Sequence, residues 1–71
     1  MSTNKQILEY IIKEKADGNT FQELNIQMKI LMKGINVKSI LDGNLSEDPV
    51  LTEKLKDLAE EFEVDLGKMA T

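Results

Sequence analysis

The chain has 71 residues and a formal net charge of −4. This length suits one domain, which we place at residues 1–71, and a domain this small buries only about 60% of its unfolded surface. Because the chain has no cysteine and no histidine, disulfide scaffolds, thiolate nucleophiles and the usual zinc sites are excluded.

The charges are unevenly distributed along the chain. Residues 1–41 carry six lysines and four acidic residues, a net +2, whereas residues 42–71 carry three lysines and nine acidic residues, a net −6. This pattern indicates either a separation of charge that serves a function or simply a last helix with a solvated acidic face. At the N-terminus, Lys13 and Glu14 interrupt the apolar residues, so we expect no signal peptide, no membrane contact and a cytoplasmic protein.

The apolar spacing predicts an all-α fold, a compact four-helix domain that is helix-turn-helix-like. The helices are predicted at about 4–17, 20–33, 36–42 and 49–63, with a short apolar C-terminal turn and no strand. Thr3 and Gln6 form a capping box for the first helix. Its apolar face is predicted to consist of Ile7, Leu8, Ile11 and Ile12, and Gly18 follows its end.

Thr20 and Glu23 predict a second capping box at the start of the second helix, and Gly34 follows its end. Apolar residues recur in this helix at steps of three and four, and a stripe of this width usually belongs to the core, with a partner surface as the alternative. The stripe comprises Phe21, Leu24, Met28, Leu31 and Ile35, and it is widened by Ile26 and Ile30.

Asn36 is the predicted cap of the third helix, which places Lys38 and Ser39 outside and ends at Gly43. Its inward residues are predicted to be Val37, Ile40 and Leu41. Asp48 and Pro49 predict the start of the fourth helix. The apolar face of that helix is Leu51, Leu55, Leu58 and Phe62, and the turn that folds back after it contains Val64, Leu66 and Met69, with Asp65 as its cap.

Four segments occur in a familiar order: IIKEK before a turn, TFQEL opening the second helix, VKSILDGN in the third, and Pro49 followed by LTEKLKDLAEEFEVDLGKM. This order resembles the lambda-repressor-like helix-turn-helix family, the small DNA-binding domains of phage repressors and bacterial regulators. The segment from Thr20 to Gly43 is longer than the family usually allows. The resemblance implies a DNA-binding transcriptional regulator that acts as a dimer.

The resemblance also implies a set of DNA-binding residues. Gln22 would hold a phosphate, Lys33 would flank the bases, and Asn44 would touch the DNA backbone. The residues facing the bases would be Asn36, Lys38 and Ser39. The alternative is that Asn36 is only a helix cap and Lys38 only a solvated side chain.

All nine cationic residues are lysines, whereas the bidentate arginine fork makes the commonest base contact. The second hypothesis is therefore a helical protein-interaction module that does not bind DNA. Such a small regulator or adaptor would use an apolar face and the acidic C-terminal helix. The expected partner is thus DNA or a protein, and we expect a homodimer.

One further pattern involves oxygen ligands. Asp42, Asn44, Ser46, Asp48 and Glu53 have the spacing of an EF-hand loop, but Glu47 stands where that loop needs glycine. A capped turn explains the same residues, so we predict no metal and no cofactor. An enzyme is not predicted either, because the carboxylates of the last helix lie on its solvent side without a histidine nearby.

Overall fold

The computed structural model describes residues 3–69, and these residues contain helices and turns but no strand. The four α-helices are α1 (Asn4–Ala16), α2 (Thr20–Met32), α3 (Val37–Leu41) and α4 (Pro49–Glu61), and a 3-10 turn follows at Leu66–Lys68. The predicted all-α class and all four helices are confirmed, with bounds that differ by one or two residues.

The first helix holds the fold together. α1 packs against α2, α3 and α4 and also against the 3-10 turn. Its inward face is the predicted one, and Leu8 and Ile11 are fully buried. The core around it consists of Ile7, Leu8, Ile11, Ile12, Ala16, Ile26, Ile30, Ile35, Val37, Ile40, Leu51, Leu55, Leu58 and Ala59, with Leu41, Phe62, Val64, Leu66 and Met69 packed against it.

Local side-chain caps begin each helix. The Thr3–Gln6 capping box is present, and the Oδ1 atoms of Asn36 and Asp48 accept backbone N–H groups at the starts of α3 and α4. The predicted cap of α2 is wrong. Asn19 rather than Thr20 is the cap, and its Oδ1 accepts the N–H groups of Phe21 and Gln22 at 2.9 and 3.3 Å.

The prediction for the apolar face of α2 is also wrong. Ile26 and Ile30, which were predicted to widen the stripe, are the buried residues of this helix. The other helical members of the stripe face solvent, with Met28 at 62% exposed; they are Phe21, Leu24, Met28 and Leu31. Met28 lies two positions from both isoleucines, about 200° around the helix from each. α2 is thus apolar on two opposite faces, and α1 covers only one of them. Ile35, which follows the helix, is buried as predicted.

The segment between α3 and α4 is held by one buried polar residue, Asn4. Its Nδ2 donates to the carbonyl oxygens of Leu45 and Asp48 at 2.8 and 2.9 Å, and its backbone N–H donates to Ser46 at 3.0 Å. Its Oδ1 accepts the hydroxyl proton of Thr52 at 2.6 Å. Asn4 therefore joins the start of α1 to the start of α4. None of the helices within residues 3–69 has the length and apolar character needed to cross a membrane.

Candidate functional site

The most unusual surface of the protein is the solvent face of α2. Phe21, Leu24, Met28 and Leu31, which we call the outer stripe, follow one another at steps of three, four and three residues. Together with Met32 they are between 55% and 85% exposed. Single exposed hydrophobic residues are ordinary on protein surfaces, whereas a contiguous row of them is a candidate interaction surface.

A groove runs beside the outer stripe, between α2 and α3. It has a volume of about 540 Å³, and we call it the α2–α3 groove. One wall is Leu24, Met28 and Leu31, and the other is Val37 and Leu41. Its polar edge is formed by Gln27, Lys38 and Asp42. The groove offers a largely apolar surface with few groups that could perform chemistry.

The orientation of this surface follows from its neighbours in the sequence. Ile26 and Ile30 are buried in the core, so the opposite side of α2 must face outward. Gly34 has a φ of +87°, a left-handed conformation that glycine adopts without strain, and it ends α2 before the chain turns into α3. The second wall of the groove is placed by Ile40, which is fully buried and fixes the rotation of α3.

Three of the residues predicted to bind DNA are linked around α3. Asn36 caps this helix by accepting the N–H of Ser39 at 3.2 Å, and the N–H of Asn44 donates to the carbonyl of Ser39 at 3.0 Å. Ser39 is half-buried, whereas Lys38 is exposed at the edge of the α2–α3 groove. Gln22 is exposed in the first turn of α2.

Lys33 has a different position from the other predicted residues. Its Nζ lies 2.7 Å from Oε1 of Glu61, so it forms an ion pair between the end of α2 and the end of α4. A lysine held by a carboxylate is a weaker phosphate ligand than a free one, because binding a phosphate would break the pair. Lys33 therefore lies beside the acidic helix rather than beside Lys38.

The segment with EF-hand spacing forms a capped turn. The carboxylate of Asp48 accepts the N–H groups of Val50 and Leu51, and the hydroxyl of Ser46 donates to the carbonyl of Gly43 at 2.7 Å. In the described part of the chain, no three acidic side chains come together as a cation site.

A shallow cavity on another side of the molecule lies between α1 and the C-terminal turn. It is lined mainly by charged residues, together with Tyr10, Phe62 and Val64. The pKa of Tyr10 is raised above its ordinary value, first by desolvation and then by the negative charges of Glu14 and Asp65. With a raised pKa, the phenol of Tyr10 stays protonated at neutral pH and is not activated as a nucleophile or a general base.

The outer stripe was visible in the sequence but was assigned to the core. The spacing of the apolar residues distinguishes two faces of α2, but it does not show which of them is buried. Phe21, Leu24, Met28 and Leu31 repeat with the 3-4-3 spacing that packs one helix against another, whereas Ile26 and Ile30 lie on the opposite side.

No protein-family model matches this chain, and neither a curated protein nor a solved structure matches it. Its function is therefore inferred from its own residues and geometry.

Proposed function

We propose that the protein is a protein-interaction module, a small regulator or adaptor that binds a partner presenting an apolar α-helix. The observation that carries this proposal is the exposure of the outer stripe beside the α2–α3 groove. Leaving these side chains in water forfeits the free energy of their burial, roughly 1.5–3 kcal/mol for each that a partner covers completely. A partner would recover much of that energy.

The shape of the surface favours a helix as the bound element. Two helices, α2 and α3, form the walls of the groove, and a third helix packs well into a channel of this kind. The 3-4-3 spacing of the outer stripe is that of knobs-into-holes packing. Amphipathic helices that bind such grooves use apolar residues at the same spacing.

Affinity purification from the source cell tests this proposal. The baits are the wild-type protein, Met28→Lys and a matched control, Val50→Lys, which introduces the same charge at a residue that is 66% exposed on α4. We expect a partner, a second copy of this chain included, that the wild type and Val50→Lys retain and Met28→Lys loses. Circular dichroism checks that all three baits fold. Partners bound equally by Met28→Lys would contradict the proposal.

DNA binding by a helix-turn-helix regulator is a second candidate function. One observation favours it. Three of the residues that the family resemblance implies as DNA contacts are exposed, namely Gln22, Lys38 and Asn44. A mobility-shift titration tests it, because binding that rests on phosphate contacts weakens steeply with salt. Lys38→Ala should weaken the complex, whereas Lys15→Ala, on the exposed side of α1, should not. The absence of any shifted complex at low salt would contradict this function.

A further inference from the structure

The outer stripe follows the heptad pattern of paired helices. With Phe21 and Met28 at a positions, Leu24 and Leu31 fall at d positions, so four layers of side chains lie along α2. The fold leaves all four of these residues outside its core. α2 has 13 residues, a length of about 20 Å, which is enough to hold all four layers.

The residues that flank this row carry no charge. The e and g positions beside the outer stripe are occupied by Thr20, Asn25, Gln27 and Met32. Charged e and g residues select a partner of opposite charge and repel an identical helix. Uncharged flanks allow two identical helices to approach without this repulsion, even though the chain as a whole has a net charge of −4.

The charges further around the helix favour opposite directions for the two helices. Glu23 lies in the first turn of α2 and Lys29 in the last turn. In a parallel pair, like charges and like ends of the two helix dipoles would lie side by side, whereas an antiparallel pair brings opposite ones together. In antiparallel coiled packing, a residues meet d residues. Phe21 would then face Leu31 of the other copy, and Leu24 would face Met28.

The area available is compatible with a reversible dimer. The outer stripe and Met32 expose on the order of 600 Å² of side chain, and polar residues at the rim would bring this close to the roughly 800 Å² per partner of a standard interface. An interface of this size is sufficient for a weak dimer. We expect a dissociation constant of roughly 100 μM, so the protein is monomeric at low micromolar concentration.

From these observations, and resting on the proposed function, we propose that the partner helix is α2 of a second copy of this chain. Two copies form an antiparallel homodimer through the outer stripe. The interface is apolar at its centre, and the e and g residues of α2 that flank it carry no charge. Raising the salt from about 0.05 to 0.5 M therefore leaves the dimer intact. This response to salt is opposite to that of a DNA complex.

Sedimentation equilibrium from about 5 μM to 1 mM tests the dimer. We expect the apparent mass of the wild type to rise toward twice that of the monomer. Met28→Lys places one ammonium group from each copy in the interface and should weaken association about 100-fold or more. Val50→Lys should associate like the wild type. A wild type that stays monomeric at the highest concentration, or a Met28→Lys variant that dimerises normally, overturns the inference.

The direction of the helices has a separate test, because the chain contains no cysteine of its own. Leu24→Cys and Met28→Cys are mixed, oxidised and analysed by mass spectrometry. An antiparallel pair places position 24 opposite position 28, so the mixed disulfide should predominate over the two disulfides between identical variants. Val50→Cys measures the background of random collisions. A predominance of same-variant disulfides overturns the antiparallel arrangement.

The outcomes for the dimer and for the interaction module can be told apart. If the wild type is monomeric but Met28→Lys loses another protein in the affinity purification, the homodimer is overturned and the interaction module stands. If Met28→Lys changes neither self-association nor partner retention, both are overturned.

Discussion

At the scale of single residues, Asn4 is the side chain on which the fold depends most specifically. It is 1% exposed, and its amide and backbone N–H together satisfy the carbonyls of Leu45, Ser46 and Asp48. Buried polar groups cost free energy when they lose their partners. This residue therefore keeps the segment between α3 and α4 against α1.

Replacing Asn4 with alanine should reduce the free energy of unfolding by about 2–4 kcal/mol, because the part-buried carbonyl groups of Leu45 and Asp48 and the Thr52 hydroxyl each lose a hydrogen bond to the Asn4 side chain. Chemical denaturation measures this loss. The control is Asn25→Ala, at an exposed position of α2, which should stay within about 0.5 kcal/mol of the wild type. Equal effects of the two substitutions would show that the buried network has no special role.

Glu63 carries a conformational strain that a single substitution can relieve. It follows α4 with a φ of +60°, in a Schellman motif in which the N–H of Val64 donates to the carbonyl of Ala59 at 2.8 Å. Glycine adopts this conformation without the Cβ penalty, so Glu63→Gly should raise the free energy of unfolding by about 0.5–1 kcal/mol. Glu60→Gly, inside the helix, should lower it by about 1 kcal/mol. Thermal melts of the two variants measure whether each is more or less stable than the wild type.

At the scale of elements, α2 is unusual because it has two apolar faces with different roles. Ile26 and Ile30 belong to the core, and Ile30 is fully buried. The outer stripe lies on the other side and adds little to the stability of the monomer, since more than half of each side chain remains in water. One face of α2 thus stabilises the fold, and the other is the proposed binding surface.

The neighbouring residues Ile30 and Leu31 give a matched test of this separation. Ile30→Ala should lower the free energy of unfolding by about 2–5 kcal/mol, because it removes buried methyl groups and leaves a cavity. Leu31→Ala should change it by no more than about 1 kcal/mol when the protein is dilute enough to be monomeric. Denaturation at low micromolar concentration makes the comparison. A large loss for Leu31→Ala would place the outer stripe in the core after all.

At the scale of the whole molecule, the acidic and basic parts of the chain are in contact. Lys33 and Glu61 join the ends of α2 and α4, but both side chains are more than a third exposed. An exposed pair of this kind contributes at most about 1 kcal/mol. The stability of the monomer therefore depends mainly on a small apolar core, and a second copy on the outer stripe would add to it.

This addition should be visible in the melting temperature. For a protein that dimerises when folded, unfolding releases two chains, so the melting temperature of the wild type should rise by several degrees between about 10 and 500 μM. That of Met28→Lys should rise by less than about 1 °C over the same range. Scanning calorimetry or circular dichroism measures both. A wild-type melting temperature independent of concentration would contradict dimerisation.

The sequence by itself determined where the helices begin and end to within one or two residues, because the signals are local. The hydrogen bonds of Thr3, Asn36 and Asp48 to backbone N–H groups span two or three residues. Because these bonds join residues that are close in the sequence, the sequence alone is enough to predict them. The inward faces of α1, α3 and α4 were predicted as well, since each of these helices has one apolar side.

Only the tertiary structure decided which face of α2 is buried, and hence where the candidate site lies. Both faces are apolar, so the choice depends on how α2 packs against α1, a helix separate from it in the sequence. The partners of Asn4 are likewise 41 to 48 residues away. Contacts of this range depend on the packing of the whole chain, and the pattern of residues within any one helix does not contain them.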